Sequence, residues 1–440
     1  MEKKSANVMA LLPIFVFLAL YIGAGVYFEY VSPIEGKMGF YVVSTVVAFM
    51  AALAVALVQN RKLSFDDKIK VCARGIGDEN ITIMLFIFLL AGAFGGIAKE
   101  AGGAASTANL MLSIIPDEFA VPGLFLVACV ISMAMGTSVG TITVLVPIAA
   151  GVSESGNYPL ALCVATVVGG SMFGDNLSFV SDTTIAATKT QGIQMRDKFL
   201  ANIKIALPAA MITLILLIIM SMGGSNASVG EYEYNILQAI PYFVVIVLAL
   251  LGINVLLVLG IGIGLFALSG AITGSLTIES MFSSMSTGTS GMFETMIVTI
   301  LVSSIGALVR ENGGFEAILS GIRRHLKGRR GGMAGIGLLT AFLDIATANN
   351  TVAIVMAAPI AKELSEEYEI EPRKTASLLD TCSCIMQGVI PYGAQLLIAA
   401  SLGGLSSMQI IPLLFYPFIL AIFVALSIIF DKKDKLNDKR

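Results

Sequence analysis

Long apolar runs recur from one end of this 440-residue chain to the other, at about 8–28, 38–58, 81–98, 121–150, 159–188, 199–222, 236–251, 253–270, 291–309, 333–361, 374–402 and 410–430. A helix needs roughly 20 apolar residues to cross a bilayer, so a chain written this way enters the membrane many times. Only 13% of its side chains are charged, against 56% hydrophobic, where soluble domains carry about 25% charged residues. That balance excludes an ordinary soluble enzyme, a disordered chain and a nucleic-acid-binding protein. Barrel strands would read as short alternating segments, which are absent here. After Glu2-Lys3-Lys4 the first run continues to Phe28, long enough to span rather than to serve as a cleaved signal. The five cysteines show no metal-binding spacing and read as buried free thiols. The expected class is an all-α polytopic membrane protein of about 10–12 membrane segments.

Lysine and arginine set the orientation. They cluster as Lys3 and Lys4; Arg61, Lys62, Lys68, Lys70 and Arg74; Lys189, Arg196 and Lys198; Arg310, Arg323, Arg324, Lys327, Arg329 and Arg330; and Lys432, Lys433, Lys435, Lys439 and Arg440. Together these are 21 of the 27 basic residues. Segments 223–235 and 271–290 hold none, and 361–374 carries five glutamates. The positive-inside rule puts the basic segments in the cytoplasm, with both termini inside a prokaryotic cytoplasmic membrane. The run 159–188 then begins after Glu154 and returns to Lys189, both inside, so it is expected to break at Gly174-Asp175-Asn176 and fold back. By the same logic the run 374–402 is expected to start and end outside, with its break at Pro391-Tyr392-Gly393. Non-helical backbone at membrane depth is tolerated only where it lines a cavity or is buried in protein, which makes both breaks candidate sites.

An internal repeat supports this. Lys99-Glu100-Ala101-Gly102-Gly103 recurs as Arg310-Glu311-Asn312-Gly313-Gly314, 211 residues later. The stretch from Thr137 to Thr141 and Pro147-Ile148-Ala149 matches Thr347 to Thr351 and Pro359-Ile360-Ala361, 210 and 212 residues on. The charge rule puts Lys99 outside and Arg310 inside, so the two halves are inverted. Inverted repeats with broken helices and re-entrant hairpins are the architecture of secondary transporters, whose sites lie near the midplane at the breaks. The expected division is N-terminal helices at 1–80, a first repeat at 81–222, connecting helices at 223–290, a second repeat at 291–430 and a basic tail at 431–440. No nucleotide-binding motif is present, so an ion gradient supplies the energy.

The polar residues that remain inside apolar runs carry the chemistry. The densest group contains Asp175, Asn176, Ser178, Ser181, Asp182 and Thr183, and an ionised carboxylate at the bilayer centre normally marks a site or a paired charge. Hard oxygen ligands of this kind suit Na+ or a proton rather than a soft metal, with Asp175, Asn176 and Asp182 as the expected Na+ ligands. Asp175 or Ser181 could also cap a half-helix. In the second half Asp344 is the acid in a comparable setting, followed by Thr347, Asn349, Asn350 and Thr351; adjacent asparagines favour unwinding. Thr137, Ser138 and Thr141 offer hydroxyls in the first half, and Gln387, Tyr392 and Gln395 offer neutral ligands at the second break. Asp380 reads as a buried partner of Lys374. Glu294 reads as interfacial, Lys204 as snorkelling, His325 as part of a solvated basic face, and Lys99-Glu100 and Arg310-Glu311 as charge pairs at span ends.

Gly174-Asp175-Asn176-Leu177-Ser178 followed by Ser181-Asp182-Thr183-Thr184 resembles the signature of the NhaC-type Na+/H+ antiporters, within the wider ion transporter superfamily. Phe179 stands where that pattern commonly has proline. The resemblance covers most of the chain and implies a carrier that exchanges Na+ for H+ by alternating access, with elevator-like motion and a homodimeric assembly. Asp175 and Asp182, with Asp344, would then bind Na+ and protons in competition, and no other cofactor is implied. The alternative is Na+-coupled symport or exchange of an amino acid or small organic acid, because carriers of both kinds share this signature. In that case Ser178, Asn349, Tyr392 and Gln395 would hold the solute. A channel or an intramembrane enzyme would need a selectivity ring or a nucleophile–base set, and neither is present.

Overall fold

The computed structural model describes residues 6–32, 34, 39, 42–59, 63–116, 119–221, 233–251, 253–391 and 393–431. All regular structure among them is helical. Seven helical segments are long and apolar enough to cross a membrane: Val8–Val26, Ile81–Glu100, Leu160–Gln191, Met195–Ser221, Leu256–Thr273, Ile278–Glu311 and Pro372–Gly403. Ser407–Leu413 and Phe415–Ile429 form an eighth together, bent by 52°. Lys3, Lys4, Arg61, Lys62, Tyr392 and the tail from Lys432 lie outside the described residues.

The run 121–150 folds back on itself. Its two arms, Ala120–Met135 and Ser138–Gly156, meet at Gly136, whose φ of 71° is the left-handed turn that glycine adopts without strain. Direction follows from packing against the next segment, Leu160–Leu177. Phe125 and Ala128 face Gly170, Cys129 and Ser132 face Gly174, and Val180 faces Gly136. The numbers rise together, so the first arm runs parallel to that segment. The second arm starts with Ser138 beside Asp175 and ends only three residues before Leu160 resumes, so it runs antiparallel. The arms therefore oppose each other as a re-entrant hairpin. Gly174 is fixed by this contact: a Cβ there would lie 2.4 Å from the Ser132 Cβ.

The run 333–361 repeats the design. Arms Gly328–Thr347 and Asn350–Glu367 turn at Ala348, which holds φ 50° without glycine's freedom. Gly337 faces Cys382, and Gln387 donates to the Ala348 carbonyl. The caps agree in register: residues 136 and 348, 137 and 349, 178 and 390, and 181 and 393 are each 212 apart. Gly102 and Gly313 likewise open equivalent helices in the left-handed conformation. Thr137 thus corresponds to Asn349 rather than Thr347, a two-residue correction to the sequence match.

The hairpins overturn the expected paths of the next two runs. Leu160–Gln191 passes through its break as one 32-residue crossing, and Pro372–Gly403 does the same. Neither is re-entrant; the runs before them are. An apolar run long enough to span need not span, and two fold back instead. The ends change sides accordingly. Arg329 bonds both Glu371 and Asp431 at 2.7 Å, and Lys374 reaches Asp431 at 2.6 Å. The base of the second hairpin, the start of the second crossing and the end of the last helix therefore share one end of the bundle. Gln191 donates to the Ala358 carbonyl, which brings the Lys189–Arg196 turn to that same end. Segment 361–374 lies with the basic segments, and Glu154 lies at the opposite end.

The repeats interlock. Asp182 meets Thr351 and Gln191 meets Ala358, so the second half of the first crossing runs beside the second arm of the second hairpin. Gln395 meets Ser138, which makes the converse pairing. Met172 packs on Gly388, while Asn202 bridges Asn176 and Asp380. Rising numbers in one crossing thus oppose falling numbers in the other, and the two crossings are antiparallel, as inverted repeats require.

Candidate functional site

The first crossing breaks four residues later than the sequence suggested. Its first half is helical through Leu177, and Ser178 to Ser181 form the break, so Asp175 and Asn176 belong to the last helical turn. Serine and threonine hold the break by bonding the backbone in place of helix. Ser178 donates to the Met133 carbonyl at 2.9 Å and accepts from the Val180 amide. Thr184 donates to the Ser178 carbonyl at 2.8 Å. The second crossing breaks at 390–393, as expected.

Hydroxyls surround Asp175, which is 2% exposed. It accepts from Ser181 on one oxygen and from Ser138 on the other at 3.0 Å. Ser181 shares a 2.8 Å bond with Thr183. Ser138 accepts from Gln395 at 3.1 Å, whose carbonyl accepts from Gln387 at 2.7 Å, and Gln387 also donates to Ala348. A polar chain thus runs from Asp175 across the repeat interface, joining one break to both hairpin tips. Asp182 is half-buried at the start of the next half-helix; it accepts from the Thr183 amide and, at 2.7 Å, from Thr351 of the other repeat.

Not every expected residue joins this set. Thr137 and Asn349 cap the second arms of their hairpins, Thr141 bonds back to Thr137, and Thr347 bonds Asn349. Ser181 opens its half-helix without a side-chain cap bond, and Asn350 accepts from Thr351. Asp344 is fully buried on the second hairpin, and neither of its oxygens accepts a hydrogen bond among the described residues. Glu294, Lys204 and His325 are exposed. Arg310 pairs with Glu363 rather than with its neighbour Glu311.

Four residues outside the expected site set, Lys198, Asn202, Asp380 and Tyr416, stand next to the first break. Lys198 was counted with the cytoplasmic lysines, yet it is fully buried and 2.8 Å from Asp380. Asp380 is therefore paired with Lys198, and not with Lys374, which serves Asp431 and Glu371. Lys198 also donates to the Asn176 carbonyl at 2.6 Å and to Thr184 at 2.7 Å. That carbonyl is one of those a helix end leaves open, and an ammonium there suits the negative end of the helix dipole. Asn202, one turn beyond Lys198, donates to the same carbonyl and to Asp380, and Tyr416 takes the Asn176 amide at 3.2 Å. The four-residue spacing of Lys198 and Asn202 put them on one helix face. The signal was there, but a lysine at a span end looks solvated. Among the described residues no three His, Cys, Asp or Glu side chains gather as a metal cluster.

Two interlocked inverted repeats, each with a hairpin tip set against a broken crossing, define a multi-pass secondary transporter. The chain belongs to the Na+/H+ antiporter family, whose sequence pattern matches residues 4–222 and 225–430. It is 24% identical to the malate-2H+/Na+-lactate antiporter of Bacillus subtilis over 69% of this chain and 72% of that one. It is 21% identical to the Na+/H+ antiporter NhaC of Alkalihalophilus pseudofirmus over 81% of this chain and 84% of that one. Among solved structures, the fold resembles the YdaH transporter of Alcanivorax borkumensis, with a TM-score of 0.62, 12% identity and coverage of 96% and 98%.

Proposed function

We propose that the chain exchanges Na+ for H+ across the cytoplasmic membrane of a prokaryote at Asp175, with Asp182 as the second acid. The observation that carries this is the Asp175 node itself. A carboxylate out of water needs a counter-charge, and a proton and Na+ both supply one at the same oxygens. Ser181 and Ser138 can donate to the bare carboxylate or turn their lone pairs to a bound cation. The node touches the first break and, through Gln395 and Gln387, the second hairpin tip, so a change in ion and a shift of one repeat against the other are mechanically joined. Repeats at 81–222 and 291–430 move around the connecting helices at 223–290, the basic segments and both termini face the cytoplasm, and the assembly is a homodimer, as the family resemblance implies.

The test is Na+-driven proton movement in proteoliposomes followed with a pH-sensitive dye. Na+ alone should release protons, and Asp175→Asn should abolish the signal. Apparent Na+ affinity should fall as pH falls, because the two ions share one site. Malate, lactate, arginine and ornithine complete the panel, because relatives include the malate-2H+/Na+-lactate antiporter and an arginine/ornithine antiporter of Halobacterium salinarum. Proton movement that begins only when one of these solutes is added would overturn the proposal.

A further inference from the structure

Beside the Asp175 node, Asn176, Lys198, Asn202 and Asp380 are all fully buried, and each donor nitrogen among them already has a partner. Lys198 has three N–H groups and gives them to the Asn176 carbonyl, Thr184 and Asp380. Asn202 gives its amide N–H groups to the Asn176 carbonyl and Asp380, and Asn176 gives its own to Tyr416. What remains is a set of acceptors: Asn176 Oδ1, Asn202 Oδ1 and Asp380 Oδ1 accept no hydrogen bond from any described residue. Turning the Asn202 amide over does not help, since its oxygen would then face the Asn176 carbonyl and Asp380 Oδ2, two acceptors. A buried acceptor left bare costs about 1–3 kcal/mol, and here three lie in one hydrogen-bonded cluster.

We propose that Asn176, Asn202 and Asp380 form a second Na+ site, separate from Asp175 and Asp182, with the Lys198 ammonium as its built-in competitor. Three hard oxygens, one of them anionic, fit a small alkali cation. Lys198 already occupies the neighbouring oxygens of Asp380, Asn176 and Thr184, so a cation arriving at Asp380 displaces the ammonium or discharges it. The site deepens the exchange reading by giving the cycle a second ion; it rests on that reading for its role and not for its existence.

Equilibrium binding of radioactive sodium to the purified full chain in detergent, at mildly alkaline pH, tests this. Wild type should saturate at two Na+ per chain, Asn202→Ala at one, Asp175→Asn at one, and the double variant at none. A wild type that saturates at one, or an Asn202→Ala protein that still binds two, would show the oxygens to be solvated by water and overturn the proposal. Should Asn202→Ala fail to fold, Lys198→Met decides: removing the competing charge should tighten Na+ binding about tenfold, and unchanged affinity overturns the site. Failure of the exchange reading looks different, with proton movement absent while both binding counts stand.

Discussion

Replacing Lys198 with methionine keeps the length of the side chain and removes its charge. Asp380, with no exposed surface, is then left with neutral donors alone, the Asn202 amide and the Thr183 hydroxyl. The Asn176 carbonyl keeps Asn202, and Thr184 keeps its bond to Ser178, so neither adds much to the loss. The cost is that of stranding one member of a buried pair, about 3–5 kcal/mol. Removing both members together, as Lys198→Met with Asp380→Leu, leaves no buried charge and costs only the Asn202 N–H its acceptor, and apolar replacements of buried pairs are neutral or stabilising by about 1–4 kcal/mol. The double variant should therefore recover most or all of the loss. The chain has no tryptophan, so reversible unfolding in detergent is best followed by far-ultraviolet circular dichroism, read as a double-mutant cycle. Added Na+ should stabilise Lys198→Met more than wild type, because a ligand that binds only the folded state adds stability with its concentration. A single-variant cost below about 1 kcal/mol, or a double variant as unstable as the single, would refute the claim that this pair is held only by mutual compensation.

Partial burial pushes the Asp431 carboxyl up, but hydrogen bonds from Lys374 and Arg329 outweigh it and hold the group below the usual carboxylate range. A depressed carboxylate contributes stability above its unfolded value of about 3.9 and loses it as pH falls through the folded value. The clamp at the base of the second hairpin should thus be insensitive to pH from about 8 to 5 and weaken only below about 4, and Asp431→Asn should remove that acid limb from a thermal-shift profile. For topology, cysteines at Glu154 and Gln194 should label from opposite faces of sealed vesicles, and one at Glu366 from the same face as Gln194. The native cysteines are all buried, so the background is low, and same-face labelling of 154 and 194 would restore the re-entrant path for 159–188.

The sequence carried the repeat, the two broken crossings and the acidic cluster, because these depend on local signals: polar residues in apolar runs and a recurring Gly-Gly. It misassigned which runs are re-entrant, because an apolar run of 28 to 30 residues such as 121–150 or 333–361 has the same composition whether it spans or turns back at its middle. The turn is written only in Gly136 and Ala348, single residues whose backbone angles no composition reveals. The charge count then inherited the error, placing 361–374 on the wrong side. At the site, Asp175, Asp182 and their hydroxyl partners were legible because they crowd one short segment. Lys198 and Asp380 were not, since they lie 182 positions apart (198 and 380) and meet only through tertiary packing.

The repeats share a backbone but not a chemistry, and the difference isolates Asp344. With the 212-residue register of the caps, Asp175 corresponds to Gln387 and Ser132 to Asp344. Ser132 donates to the Ser171 carbonyl at 2.6 Å, which ties the first hairpin to the first crossing. The equivalent carbonyl in the second repeat belongs to Ser383, yet Asp344 accepts no hydrogen bond from any described residue and has no exposed surface. Asp344→Ser should therefore let the second hairpin make the bond the first one has. It also removes a stranded buried carboxyl, so the variant should be more stable by about 1–3 kcal/mol. We propose that Asp344 takes up and gives off a proton as the second hairpin moves. Asp344→Ser should accordingly unfold at higher temperature and exchange Na+ for H+ more slowly. Full exchange activity in the stabilised variant would make Asp344 a passive defect and refute the assignment.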